Sequence, residues 1–486
     1  MTAYAVGIDI GTSSVKTVLA DDVLHPVRQS RKAIRSSFPF PGWVEQDAEE
    51  ICQLVLESIN EILCASGISE RKIVGIGLDH QGESCLIWNK KTGKPVYPVI
   101  TWQDRRTARE AESIRNDHGD LIREKTGQPA DSYYSAFKLR WILDHLKEDP
   151  SDLLAGTLNS YIIWRMSSGR DFIIDPASAV CTLLFDPRRD DWDPDLLRIF
   201  RIPQGMLPEI VPSIGFPPVS SDIGIPILAT APDSHAGMFG IGGVRENDLI
   251  TTYGTGNFMH LVTGPRFFGA QSGLTNTILF SSPSERIFQL NGICYTAGSA
   301  VKWLIDGLGI IRSEEEASVL AKSVENNGGV CFIPALNGFA TPYWIENARG
   351  AFLGLTAGTG RAHIVRAVLE SIAFQVAGAN EKMKCVSGLK PACMTALGGM
   401  TGNDFLMQFQ SDVLGIPVKI PLRSEPCFGA AGLVFAAKER IFRAGDCPFS
   451  SETIKQYEPA LNEADRLALL SEWQAALKYQ LGVAEE

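Results

Sequence analysis

The chain has 486 residues, 45% of them apolar and 21% charged, a composition that excludes a disordered chain and a length that calls for at least two large domains with a cleft between them. No run of about 18 apolar residues reads as a membrane span, and a formal net charge of −11, with Lys and Arg interspersed among acids, argues against a nucleic-acid partner. Ten cysteines between Cys52 and Cys447 form no CxxC pair and no zinc-spaced cluster with histidine, so neither a disulfide framework nor a structural metal is expected.

The N-terminus enters a strand pattern without the basic and apolar segments of a secretory signal, and a cytoplasmic location is expected. Tyr4 to Ile10 reads as a strand, Gly11-Thr12-Ser13-Ser14 as a turn, and Val15 to Ala20 as the returning strand. Asp47 to Ser66 carries apolar residues at helical spacing behind a capping aspartate, and Lys72 to Leu78 then reads as a buried strand. Leu249 to Tyr253, the turn Gly254-Thr255-Gly256-Asn257 and Phe258 to Val262 repeat the opening hairpin about half a chain later, which suggests two similar halves. Ala362 to Met383 is amphipathic, Thr395 to Leu397 precedes a Gly-Gly turn, and Asn403 to Leu414 reads as a helix. The polar stretch Val244 to Asp248 marks the boundary, giving domains of residues 1–245 and 246–486.

In both hairpin turns glycine permits a tight backbone, and the amides and hydroxyls that follow can surround an anion, with Lys16 as a counter-charge in the first. A polar hairpin tip explains either turn taken singly, whereas one from each half could grip a polyphosphate from opposite sides. No GxxxxGK[ST] segment is present, which excludes the P-loop mode, and no GxGxxG with a following acid supports a dinucleotide oxidoreductase.

Five segments carry a family likeness: Gly7-Ile8-Asp9-Ile10-Gly11-Thr12-Ser13-Ser14, Pro41-Gly42-Trp43-Val44-Glu45-Gln46-Asp47, Thr101-Trp102-Gln103-Asp104-Arg105-Arg106-Thr107, Tyr253-Gly254-Thr255-Gly256 and Arg349-Gly350-Ala351-Phe352-Leu353-Gly354-Leu355. In this order, over nearly the whole chain, they resemble the FGGY carbohydrate kinases, and within that family the glycerol kinases. The resemblance implies an α/β chain of two actin-like, ribonuclease-H-like ATPase domains flanking a catalytic cleft. It also implies ATP-dependent phosphorylation of a small polyol or sugar with Mg²⁺.

On that resemblance Asp233, in Ala231-Pro232-Asp233-Ser234-His235, is the general base and a metal contact, and Asp9 lies near the Mg²⁺ through water. A carboxylate suits this position, because phosphoryl transfer needs an in-line hydroxyl and a group that takes its proton. Thr12, Ser13, Ser14 and Lys16, with Gly254 and Thr255, are the expected phosphate contacts, and Gly298, Gly399 and Asn403 the nucleoside contacts. Read without the family, Asp233 is a capping aspartate, Asn403 an N-cap and Gly398-Gly399 a turn.

The implied acceptor pocket comprises Gln81, Gly82, Glu83, Trp102, Tyr133, Asp233 and Phe258. Glycerol kinases present Gln-Arg-Glu where this chain has Gln81-Gly82-Glu83. Losing the arginine removes charge-assisted hydrogen bonds of about 1.5–3 kcal/mol each and opens space, so a C4–C5 polyol or ketulose is expected in place of glycerol. Asp104 and Arg105 are expected as structural partners beneath the aromatic wall, and His80 as a packed residue. The partner is then a small molecule, with neither nucleic acid nor membrane; a homodimer is admitted. Two other readings are a non-catalytic sugar or nucleotide sensor of the same fold and an actin- or chaperone-type ATPase, and acceptor dependence of ATP turnover separates both from a kinase.

Overall fold

The computed structural model describes residues 2–146, 150–271, 273–345, 347–441 and 443–483. Strands β1 (Tyr4–Ile10), β2 (Ser14–Asp21) and β3 (Pro26–Ala33) form an antiparallel meander. Helix α1 (Ala48–Ser66) begins where the Asp47 carboxylate accepts from the Glu49 and Glu50 amides and ends at left-handed Gly67. It leads to β4 (Ile73–His80), parallel to β1. The expected start at Lys72 is instead a turn of exposed residues, since Glu70, Arg71 and Lys72 are all charged. After a long excursion, β5 (Ile214–Val219) and β6 (Ile227–Pro232) complete a sheet of order β5-β6-β4-β1-β2-β3. Strands β1 and β4 are buried along almost their whole length, as befits strands covered on both faces.

The second half repeats this plan. Strands β7 (Leu249–Tyr253), β8 (Asn257–Gly264), β9 (Thr275–Ser281), β10 (Arg286–Cys294), β11 (Met394–Leu397), β12 (Val418–Pro421) and β13 (Thr453–Tyr457) run in the order β9-β10-β8-β7-β11-β12-β13. As in the first half, the opening hairpin is antiparallel and the next strand to join, β11, lies parallel to the first, β7. The duplicated ribonuclease-H-like arrangement is therefore observed in the strand order itself.

Five short strands, Ser36–Ser37 and Glu45–Gln46 from before α1 and Cys85–Asn89, Val99–Ile100 and Leu153–Thr157 from the excursion, form a separate sheet that carries the wall around Trp102. Helices α2 (Asp233–Gly240) and α3 (Arg361–Ser387) lie on either side of the boundary, followed by α4 (Asp404–Leu414) and α5 (Pro426–Glu439). Helix α5 crosses from the second half to pack on β1, β4 and α2. The approach is close enough that a Cβ on Gly429 would overlap the Ala236 carbonyl, and one on Gly7 the Cys427 carbonyl. One apolar cluster joins the halves here, with Ala231, Ala236 and Phe239 meeting Ile250, Phe428 and Val434. All ten cysteines are free thiols. Among the described residues no helix is long and apolar enough to cross a membrane.

Candidate active site

Three adjacent strands of the first sheet bring carboxylates to one edge. Asp9 on β1 pairs in register with Asp79 on β4, and Asp79 with Ala231 on β6, two residues before Asp233. Lys16, opposite Asp9 in the hairpin, donates to Asp9 Oδ2 at 2.9 Å. Burial works against the Lys16 charge, but the Asp9 carboxylate outweighs it and the ammonium pKa is raised.

Asp233 is the first residue of α2, behind Pro232 at the cap position, and its Oδ1 accepts from the Ser234 amide at 2.6 Å. It opens the helix rather than capping it. The surrounding protein, and then the Asp9 charge, push its carboxyl up to about 7, the range a general base at neutral pH requires. A cavity of about 500 Å³ lies over it, and Gln81, Gly82, Glu83, Trp102, Tyr133 and Phe258 line this cavity together with Asp233 and Thr12. The acceptor residues expected from the sequence are thus gathered around one space.

Around that space, Trp102 meets Tyr133 edge-on at 5.9 Å and donates its indole Nε1–H to the Thr12 hydroxyl at 2.9 Å. Burial raises the Glu83 carboxyl, which hydrogen-bonds with Tyr133 and Cys181. The fully buried Lys138 ammonium donates to the backbone carbonyls of Glu83 and Tyr133, fixing both segments. Gly82 adopts φ +35°, and a Cβ there would face Cys181 Sγ at 3.7 Å. A side chain at this position therefore meets backbone strain as well as the open cavity.

The first turn closes with Gly11 N–H donating to the Ser14 carbonyl at 3.1 Å. Thr12 and Ser13 remain accessible, whereas Ser14 is the buried first residue of β2 and has only a partial fit to a phosphate contact. In the second turn Gly254 N–H donates to the Gly256 carbonyl at 2.9 Å. The Gly298 N–H donates to the Gly254 carbonyl at 3.0 Å, so Gly298 supports the turn through its own amide. Gly399 has open space around it. Asn403 uses Oδ1 to cap α4 at Leu406 N, 3.0 Å away, which leaves its Nδ2 for a base. The capping reading of Asn403 is observed, and a nucleoside contact would fall to the other polar atom of the same side chain.

For a divalent cation, the carboxylates that would hold it are those of Asp9 and Asp233, with Asp79 on the strand between them. Asp9 Oδ1 is buried with no partner among the described residues, as a hard oxygen donor awaiting a cation or its water would be. Among the described residues no three His, Cys, Asp or Glu side chains form a self-sufficient metal cage.

Sequence reasoning missed several of these residues. Asp79 is fully buried, and burial, followed by the charges of Asp9 and Asp233, raises its carboxyl well above the usual range; an acid inside an apolar strand pattern was the available signal. Gln46 donates to the Thr12 carbonyl and accepts from Gln81, both at 2.7 Å, linking the Pro41–Asp47 segment to the first turn. Lys138, between Phe137 and Leu139 in an apolar helical run, gave a similar hint. Beneath the aromatic wall Asp104 is a structural partner as expected, but its ion-pair partner is Arg106, which also pairs with Glu45 and lies 3.8 Å from the Trp43 ring centroid. Arg105 pairs with Asp131 instead. His80 is packed, sharing a hydrogen bond with the Ser178 hydroxyl at 2.9 Å.

Comparison with known proteins adds three findings. Residues 4–240 match the N-terminal domain, and residues 249–437 the C-terminal domain, of the FGGY family of carbohydrate kinases. The chain is 38% identical to glycerol kinase 2 of Thermotoga maritima, with 99% of each chain covered, and 37% identical to glycerol kinase of Bacillus licheniformis, covering 98% of this chain and 99% of that one. Its fold superimposes on the Plasmodium falciparum glycerol kinase crystallised with ADP at a TM-score of 0.91 and 29% identity, covering 100% and 99% of the two chains. A xylulose kinase from Lactobacillus acidophilus shares the fold at a TM-score of 0.87, with 99% of each chain covered and 22% identity.

Proposed function

The chain belongs to the FGGY family of carbohydrate kinases, and on that premise we propose that it is an ATP-dependent kinase of a small polyol or sugar in which Asp233 is the general base. The observation that carries this assignment is the position of Asp233 at the start of α2, facing the cavity lined by Glu83, Trp102, Tyr133 and Phe258, with a carboxyl poised at about 7. Glu83 anchors an acceptor hydroxyl near the reacting end, while Trp102, Tyr133 and Phe258 wall the carbon chain. Asp233 takes the proton of the reacting hydroxyl as its oxygen bonds to the γ-phosphorus of ATP. The bond from that phosphorus to the β–γ bridging oxygen breaks, and ADP leaves.

Thr12 and Ser13 with Lys16, together with Gly254 and Thr255, hold the phosphates, and Gly399 and the Asn403 amide receive the nucleoside. Ser14 and Gly298 shape the two turns. Asp9 and Asp233 would hold Mg²⁺, which when bound would supply charge neutralisation for the phosphates. The domains divide at residues 245 and 246, and the enzyme works in the cytoplasm.

The absence of an arginine at Gly82 favours a C4–C5 polyol or ketulose over glycerol as acceptor. A coupled ADP-release assay across C3 to C7 polyols, ketoses and aldoses tests the assignment. Strong acceptor dependence is expected; ATP hydrolysis indifferent to every acceptor would contradict it.

A further inference from the structure

Apart from Phe258, one wall of the cavity is not used by the chemistry above. Strands β8, β9 and β10 present Phe258, His260, Thr275, Thr277, Gln289 and Asn291 to it. His260 lies opposite Asn291, and Thr277 opposite Gln289, so these residues share one face of the sheet with Phe258. His260 is two residues beyond Phe258, about 7 Å further from the second phosphate turn at the rise of a strand.

The hydrogen bonds of this wall fix what it offers. Asn291 Oδ1 is 2.9 Å from His260 Nδ1, so Nδ1 carries the proton and His260 Nε2 is a bare acceptor. The Gln289 Nε2 amide lies 2.9 Å from His235 Nε2, so that nitrogen accepts and His235 Nδ1 is the protonated donor. Gln289 and Asn291 both donate to the Thr277 hydroxyl, at 3.2 and 3.0 Å. His235 Nδ1, His260 Nε2 and Gln289 Oε1 are then buried with no partner among the described residues. Their residues are 8%, 6% and 0% exposed, and unmatched polar atoms at that depth are costly unless something pairs with them.

We propose that His235, His260, Thr277 and Gln289 form a subsite for the distal hydroxyls of an uncharged, open-chain polyol or ketose of five or six carbons. The inference rests on the kinase reading and moves its acceptor from four or five carbons to five or six. Two free acceptors beside one free donor match hydroxyls, which both give and receive hydrogen bonds. A carboxylate offers acceptors alone and would face the bare nitrogen and carbonyl. Among the described residues no Lys or Arg lines the cavity. Three carbons anchored at Glu83 and Asp233 leave this wall unpaired.

The test measures kcat/KM for glycerol, erythritol, the pentitols, the 2-ketopentoses, the hexitols and gluconate in wild type, His260→Leu and Gln289→Met. In the wild type the best neutral C5 or C6 acceptor should exceed glycerol and gluconate by at least tenfold. Each substitution should reduce that preference at least tenfold through KM, with kcat for the same acceptor changed less. Thr277→Val, nearly isosteric, gives the same readout if a larger change compromises folding, as judged by the melting temperature. Glycerol or gluconate as the best acceptor, or a preference unchanged within threefold in the folded variants, overturns the subsite while leaving the kinase reading intact. Failure of every acceptor to stimulate ADP release overturns the kinase reading, and the subsite with it.

Discussion

The indole Nε1–H of Trp102 donates to the hydroxyl of Thr12 at 2.9 Å, so the aromatic wall of the cavity and the first hairpin turn, proposed to hold acceptor and phosphates, share a hydrogen bond. Binding on one side should therefore bias the other, and by linkage the effect is reciprocal. Trp102→Phe keeps an aromatic wall against Tyr133 and removes only the donor. A neutral hydrogen bond contributes about 0.5–1.5 kcal/mol, so calorimetric titration of ATP with and without acceptor should show the synergy reduced by roughly 2- to 10-fold. A change in acceptor affinity with the synergy intact would place the role of this bond within the acceptor pocket alone.

Asp233 must be ionised to accept a proton, and its carboxyl is raised to about 7. The kcat/KM, which reports the free enzyme, should rise about tenfold per pH unit up to about 7 and then level off. The same shift governs stability. The folded value lies above the unfolded value of about 3.9, so the group favours folding at low pH, and that contribution is lost as pH rises through about 7. In the ligand-free protein Asp233→Asn should thus raise the melting temperature more at pH 8 than at pH 5, as scanning calorimetry would show.

Gly429 sits where α5 meets α2, and a Cβ there would overlap the Ala236 carbonyl, three residues from Asp233. Overpacking of a tight contact costs about 1–3 kcal/mol. Gly429→Ala should lower stability by about that amount in chemical denaturation and reduce kcat, because the backbone that shifts also carries the base. A variant with both quantities unchanged would mean that the helices separate freely at this crossing.

Much of the fold was legible because hairpins declare themselves locally. The turns Gly11–Ser13 and Gly254–Gly256 stand between apolar strands, and Asp47 and Asn403 cap the helices their positions suggest. The small sheet around Trp102 was less legible, since strands such as Glu45–Gln46 and Val99–Ile100 have two residues each and exist only through pairing with neighbouring strands. The site was legible where a motif carried it, as at Asp233 and Gln81-Gly82-Glu83. Asp79, Gln46 and Lys138 depend on strand register and long-range contacts that no local spacing encodes. The positive φ of Gly82 was likewise hidden, because loss of a side chain and demand for a glycine leave the same letter.

That backbone conformation shapes the specificity test at Gly82. Gly82→Arg alone would confound pocket filling with strain, and Gly82→Ala shares the strain without the guanidinium. The ratio of kcat/KM for glycerol to that for the best longer acceptor should shift toward glycerol by about 1–3 kcal/mol in Gly82→Arg relative to Gly82→Ala. Equal ratios in the two variants would show that the arginine position does not set acceptor length in this chain.

The central claim is that Asp233 activates an acceptor hydroxyl for phosphoryl transfer from ATP. Its most direct test is ADP release with Mg²⁺-ATP and the best acceptor of the panel, compared between wild type and Asp233→Asn alongside nucleotide affinity. The wild type should release ADP only when the acceptor is present. The variant should lose about 10²–10⁴-fold in kcat while binding ATP nearly as before. Turnover near the wild-type rate in a folded Asp233→Asn protein would contradict the account.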